Sequence, residues 1–194
     1  MVIGLTGGIG SGKTTVAKVF ETMGCAIYNS DERAKEVYFN SDVKKQVVKL
    51  LGKEAYLSRN ELNKAFISQK VFSTRDILFQ LNAIIHPAVN EDFKLFQSKQ
   101  SPETIIVKES AILFETGSFK TLDYTVLVIA PEKLKIDRVI KRNAVTKADV
   151  LKRMKTQWTD EHKIPLANFV ITNDQIEPIL PQVTQIMDTL KKSA

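Results

Sequence analysis

The sequence predicts an α/β fold, a mainly parallel sheet flanked by helices, on three observations. Strand-like apolar runs alternate with helical stretches along most of the chain. The run Tyr124-Thr125-Val126-Leu127-Val128-Ile129 is almost wholly apolar, as a strand covered on both faces should be. The first apolar run, Val2 to Leu5, leads through a glycine-rich segment straight into a helical pattern. At 194 residues there is room for one full core, or for a core with one or two small inserts.

Taken in order, Val2 to Leu5 is the first strand, and Lys13 to Met23 is a helix ended by Gly24. Ala26 to Tyr28 is a short second strand, followed by Asn29-Ser30-Asp31, where Ser30 or Asp31 can cap the next helix. From Asp31 to about Gln97 the pattern is mostly helical, with apolar residues at Val47, Val48, Leu50 and Leu51, then at Ile77, Leu78, Leu81, Ile84 and Ile85. So long a helical excursion between two strands suits a substrate-binding insert. Strands resume at Thr104 to Val107, where Lys108 interrupts the run, and at Tyr124 to Ile129. Pro131 to Asn143 reads as a helix with Pro131 near its start, and Ala144 to Trp158 as a polar helical stretch. Asn168 to Thr172 is a last short strand and Pro178 to Lys192 a closing helix.

Gly7 to Thr14 read G-G-I-G-S-G-K-T and fit the phosphate-binding pattern G-x-x-x-x-G-K-[ST], with Gly7, Gly12, Lys13 and Thr14 at the fixed positions. Glycines let backbone wrap closely around a polyphosphate, and the helix that follows offers its N–H groups and positive dipole end to the anion. Lys13 would reach the β and γ phosphates, and the Thr14 hydroxyl would hold Mg²⁺. The structural context that such a motif requires, a strand before and a helix after, is present in the pattern.

Composition narrows the setting. Hydrophobic residues make up 43% and charged residues 26% of the chain, an ordinary globular balance. No apolar run approaches the length of a membrane span, and the apolar N-terminus is interrupted in a way no signal peptide is, so a cytoplasmic enzyme is expected. The single Cys25 excludes an intramolecular disulfide and a cysteine-based metal site, and its apolar neighbours make it a small core residue. A net charge of +6 suits small polyanions as well as nucleic acid, but no block of five or more basic residues occurs. A basic nucleic-acid module would leave the phosphate loop unexplained. A guanine-nucleotide switch needs N-K-x-D, whereas Asn63-Lys64-Ala65-Phe66 ends in Phe.

Phosphoryl transfer asks for a phosphate cradle, a metal, a group that activates the acceptor, and positive charge on the transferring group. Gly7 to Thr15 is the cradle. Glu109, following the run Thr104 to Val107, is either a metal-holding acid or an ordinary residue of a strand-to-loop turn. Asp31 stands just past the second strand, where the ends of parallel strands converge. It can accept a proton from a substrate hydroxyl or merely cap a helix. Arg138 and Arg142 share a helix face, a spacing that Arg153 and Gln157 repeat, and the two arginines can clamp a phosphoryl group or be a solvated surface. His86 precedes Pro87 at the end of an apolar helical pattern, and Trp158 reads as a packing residue.

The chain resembles the dephospho-coenzyme A kinases over nearly its whole length. The opening from Gly4 to Ala17, GLTGGIGSGKTTVA, is close to that family's start. Asp31 matches the second acid of its D-x-D, Arg59-Asn60-Glu61-Leu62 its R-x-x-L, His86-Pro87-Ala88-Val89 its H-P-x-V, and Leu113-Phe114-Glu115 its L-L-F-E segment. Arg138 and Arg142, then Arg153 and Gln157, match R-x-x-x-R and R-x-x-x-Q; Ala167 and Asn173 fall at further landmarks. The sequence departs from the pattern at Asn29 and Asn168, where the family has acids, and at Ala111, where it has Pro.

The resemblance implies the reaction ATP + 3′-dephospho-CoA → ADP + coenzyme A, the last step of coenzyme A biosynthesis, with Mg²⁺. It implies a P-loop NTPase-type core at 1–31, 98–143 and 159–194, a helical substrate region at 32–97 and a lid at 144–158. Asp31 would be the base, with Lys13, Arg138 and Arg142 as the other catalytic groups. ATP would lie on Gly8, Gly10, Ser11, Gly12, Lys13, Thr14, Thr15 and Asn173, and Mg²⁺ on Thr14 and Glu109. Thr6, Asp31, Arg59 and His86 would face the acceptor. No nucleic-acid or membrane partner is expected, and the chain would act as a monomer or weak homo-oligomer. The closest alternative is another small-metabolite or nucleoside kinase on the same core.

Overall fold

A computed structural model of the chain describes residues 1–73 and 75–192. Position 74 of the expected insert, and positions 193 and 194 of the expected core, lie outside the described residues. The elements open with β1 (Val2–Thr6), α1 (Lys13–Thr22), β2 (Ala26–Asn29), α2 (Ser30–Glu36) and α3 (Ser41–Leu51). Then come β3 (Tyr56–Ser58), β4 (Glu61–Leu62), α4 (Lys64–Ser73), α5 (Arg75–Gln97) and β5 (Ile106–Glu109). The chain closes with β6 (Tyr124–Ile129), α6 (Glu132–Asn143), α7 (Lys147–Met154), α8 (Asp160–Lys163), β7 (Phe169–Thr172) and α9 (Ile179–Lys192). They form two compact units, Met1–Asn29 with Gln100–Ala194, and Ser30–Lys99.

The first unit is built on a parallel sheet in the order β2-β5-β1-β6-β7. β1 sits between β5 and β6 with every residue buried, and it carries no charged position. From β1 the chain moves to β2 on one side, β5 returns between them, and β6 and β7 extend the sheet on the other. The loop after β1 therefore opens at the topological switch point, the usual ligand crevice of such sheets. On one face α1 contributes Val16, Ala17 and Phe20, and α9 contributes Val183, Ile186, Met187 and Leu190 at helical spacing. They close over Ile3, Leu5, Val107, Val126, Val128 and Ile171.

The fifth strand differs from its expected position. It spans Ile106–Glu109, so Lys108 continues the strand instead of interrupting it. Flanking ladders decide this: Gly4 of β1 and Tyr28 of β2 stand opposite Lys108, and backbone pairing on both sides outweighs one charged side chain. Burial lowers the Lys108 pKa below the ordinary lysine value. The polar stretch after α6 resolves into α7, started by a capping box between Thr146 and Asp149. Ile136 and Val139 of α6 pack with Val150 of α7 in a small separate cluster.

Cys25 lies in the main core, with its sulfur 3.8 Å from the Met187 sulfur, and burial raises its pKa to about 11. Only the thiolate attacks disulfide reagents. Native protein at pH 8 is therefore expected to leave Cys25 unmodified by an aromatic disulfide, with reaction appearing on unfolding in urea. Rapid modification of the native chain would refute this packing. Because the folded pKa is the higher one, the associated stabilisation is complete below 9.0 and is lost as pH rises through about 11.

In the second unit α3 buries Val43, Val47 and Leu51, and α5 buries Leu81, Ile85, Val89 and Phe93. α5 runs on through Pro87, past the end of the apolar pattern that precedes it in the sequence. A mid-helix proline removes one backbone bond and costs about 3 kcal/mol. The buried residues recurring every fourth position on both sides of Pro87 hold the helix across it. The mostly helical expectation also missed the β3–β4 hairpin, which is antiparallel, irregular in register and too short to show a period.

Candidate active site

The loop from Gly7 to Gly12 leaves the buried end of β1 and enters α1 at Lys13. Two glycines are required by geometry. Gly10 has φ of 81°, and a Cβ there would lie 2.3 Å from the Lys135 carbonyl oxygen. Gly12 has φ of 95° and would place a Cβ 2.0 Å from Asn173 Nδ2. The loop is closed by a Ser11 N–H to Gly8 carbonyl bond of 3.1 Å, and α1 begins with Thr15 and Val16 N–H groups donating to the Gly12 carbonyl. No acidic side chain stands in the first turn of α1, so its positive end meets no competing carboxylate of its own.

Lys13 curls back over this loop and donates from Nζ to the Gly7 carbonyl at 3.0 Å, with only 9% of the residue exposed. Thr14 donates its hydroxyl to Glu109 Oε1 at 3.2 Å. Glu109 is buried at the C-terminal end of β5, and Asn29, at the end of the neighbouring β2, donates to its other oxygen at 3.4 Å. The departure at Asn29 thus puts an amide donor beside Glu109, where a second carboxylate would repel it. Two hard oxygen donors, a hydroxyl and a carboxylate, meet at the start of α1. That is the ligand chemistry Mg²⁺ prefers. Among the described residues no group of three or more His, Cys, Asp or Glu forms a closed metal cage.

Arg138 reaches the loop from the middle of α6. Its Nη1 lies 3.4 Å from both the Gly10 and Ser11 carbonyls, and its Nη2 donates to the Asn173 carbonyl at 3.1 Å and to Asn173 Oδ1 at 3.2 Å. Asn173 in turn donates to the Ser11 carbonyl at 2.8 Å, so the residue after β7 is tied into the same network. Arg142, one turn farther along α6, is not brought to the loop: it is exposed and donates to the Asn143 side chain. Asn168 is used for packing. Its side chain accepts from the Thr125 N–H at 2.8 Å and locks β7 to β6, an acceptor role that the family's acid would fill equally.

Three groups at this site went unread in the sequence as neighbours of the loop. Gln157 accepts the Ile9 N–H at 2.9 Å. Lys135, almost fully buried, forms an ion pair with Asp160 beside Gly8. The Phe114-Glu115 landmark also finds its partners here: Glu115 accepts from the Trp158 N–H at 3.0 Å and pairs with the fully buried Lys163 at 2.8 Å. Among these the R-x-x-x-Q spacing and the Phe114-Glu115 landmark gave a signal, and neither said what Gln157 or Glu115 touches.

Of the remaining expected residues, Asp31, Arg59 and His86 belong to the second unit and Thr6 to the first. Asp31 is exposed in the first turn of α2. Since α2 starts at Ser30, Asp31 lies inside the helix and not at the preceding cap position. Arg59 is exposed at the β3–β4 turn, its carbonyl accepting from Lys44, and His86 is exposed on α5, where partial burial lowers its pKa below the ordinary histidine value. Thr6 is fully buried at the end of β1.

Comparison with known proteins agrees with this geometry. The family model described as dephospho-CoA kinase matches residues 1–177. A dephospho-CoA kinase of Bacteroides fragilis is 38% identical over 186 residues, covering 95% of this chain and 90% of that protein. Another, from Chlorobium chlorochromatii, is 36% identical over 203 residues, covering 100% and 95%. A crystal structure of a Thermus thermophilus protein, 28% identical, aligns with a TM-score of 0.88 over 97% of this chain and 96% of that one. No helix among the described residues is long and apolar enough to cross a membrane. With the phosphate loop in place and relatives matched along nearly the full length of both chains, the protein belongs to the dephospho-CoA kinase family.

Proposed function

We propose that the protein transfers the γ-phosphoryl group of ATP to the ribose 3′-hydroxyl of 3′-dephospho-CoA, releasing ADP and coenzyme A. The contact that carries this reading is Thr14 with Glu109 at the mouth of a phosphate loop, in a chain of this family. A kinase site needs oxygen donors beside the triphosphate, and here a strand-end acid supplies one. Thr14 and Glu109 would hold Mg²⁺, which would neutralise charge developing on the β and γ phosphates.

Each residue then has a defined task. Amides of Gly8, Gly10, Ser11, Gly12, Lys13, Thr14 and Thr15 line the phosphates, and Asn173 borders the nucleotide. Lys13 neutralises charge that builds on the β and γ oxygens. Arg138 supplies its guanidinium to the transferring phosphoryl from its seat on the loop, whereas Arg142, exposed one turn farther along α6, stays off it. Asp31 accepts the proton from the ribose 3′-hydroxyl as that oxygen attacks. Thr6, Arg59 and His86 stand on the acceptor side. The stretch 144–158 acts as a lid that excludes water from the reacting phosphate, and 32–97 receives the acceptor. On this reading the partners are ATP and dephospho-CoA, and the setting is the cytoplasm.

The test is acceptor choice. With ATP and Mg²⁺, 3′-dephospho-CoA is expected to give coenzyme A and ADP in equal amounts. Other nucleosides and small alcohols should give little product. If dephospho-CoA yields nothing while another alcohol is phosphorylated, the chain is a different small-metabolite kinase on the same core.

A further inference from the structure

Ile9 stands between Gly8 and Gly10, and it is held twice. Its side chain packs against the cluster of Ile136, Val139 and Val150 that joins α6 to α7. Its N–H donates to Gln157 Oε1 at 2.9 Å. Gln157 follows shortly after α7, in a segment that is itself secured: Trp158 N–H to Glu115, Asp160 to Lys135, and Lys163 to Glu115. The acceptor that grips the loop therefore sits at the anchored C-terminal end of the 144–158 stretch, next to the braced residues 158–163.

We propose that Gln157 is a positioning residue for ATP: from this brace it fixes Ile9, and with it the first half of the phosphate loop, in the binding shape before nucleotide arrives. Glycines on either side leave Ile9 free to swing in the absence of an anchor. Ordering that segment during binding would subtract from affinity, and ordering it beforehand removes the loss. A neutral amide oxygen suits the task. It accepts the Ile9 N–H without setting a full negative charge beside a triphosphate. The inference rests on the ATP site proposed above and adds the residue that holds its loop.

Gln157→Met keeps the length of the side chain and removes the acceptor. ATP titrated calorimetrically into this variant is expected to bind roughly three- to tenfold more weakly, the size of one lost hydrogen bond. The KM for ATP should rise in step, while kcat at saturating ATP, the KM for dephospho-CoA and the melting temperature stay near wild type. A purely structural role would move the melting temperature and kcat together and leave ATP affinity alone; that pattern would overturn the proposal. Wild-type ATP affinity in Gln157→Met would also overturn it. Failure of the unaltered protein to bind ATP at all would defeat the kinase reading beneath.

Discussion

Lys13→Ala is expected to lower kcat/KM for phosphoryl transfer by roughly 10²- to 10³-fold or more, with the fold retained. Removing one preorganised donor from a site of developing negative charge costs about 3–4 kcal/mol of transition-state stabilisation, and Lys13 carries a full charge. The ammonium is buried at the loop, held there by a 3.0 Å bond to the Gly7 carbonyl. Lys13→Met separates charge from packing, since it preserves most of the aliphatic stem. Steady-state ADP release with dephospho-CoA as acceptor measures the loss, and a thermal melt checks the fold. Turnover near that of the wild type in either variant would remove Lys13 from the chemistry and with it the nucleotide-site reading.

Asp31→Asn is expected to lower kcat roughly 10²-fold or more, the contribution of general-base catalysis, while ATP affinity stays unchanged. The substitution keeps size and hydrogen-bonding capacity but removes the site that takes the proton. Its exposed place in the first turn of α2 supplies the opposing hypothesis and makes the experiment decisive. If Asp31 only complements the helix dipole, the variant loses about 0.3–1 kcal/mol of stability and keeps its turnover. Activity and a denaturation curve on the same preparation separate the two. Unchanged kcat with a small stability loss would return Asp31 to that local duty.

What could be read from the sequence was what depends on neighbours along the chain. The phosphate loop needs six backbone positions in one turn and a helix directly after, so its spacing alone announces it. β6 and the closing helix were legible because burial on both faces or on one stripe writes a period into the residues. The misreading of Lys108 has a cause as well: it sits in β5 because strands distant in sequence pair on either side of it. The Lys135–Asp160 pair and the bond between Ile9 and Gln157 join residues that no local pattern connects. Arg138 and Arg142 were indistinguishable by spacing, yet only Arg138 meets the loop, because one turn of helix carries Arg142 away from it.

The strand order also dictates when this site can exist during synthesis. β1 emerges first, but its ladder partners are Ile106 to Glu109 and Tyr124 to Leu127, and β2 likewise waits for the first of these. No part of the phosphate loop has a sheet to rest on until more than a hundred residues have left the ribosome, several seconds at about 5–20 residues per second. The contiguous Ser30–Lys99 unit has all of its own residues out before then. Translation therefore delivers every residue of the Ser30–Lys99 unit while the first strand, loop and helix still lack their sheet partners. That interval is where a chaperone would have most to do.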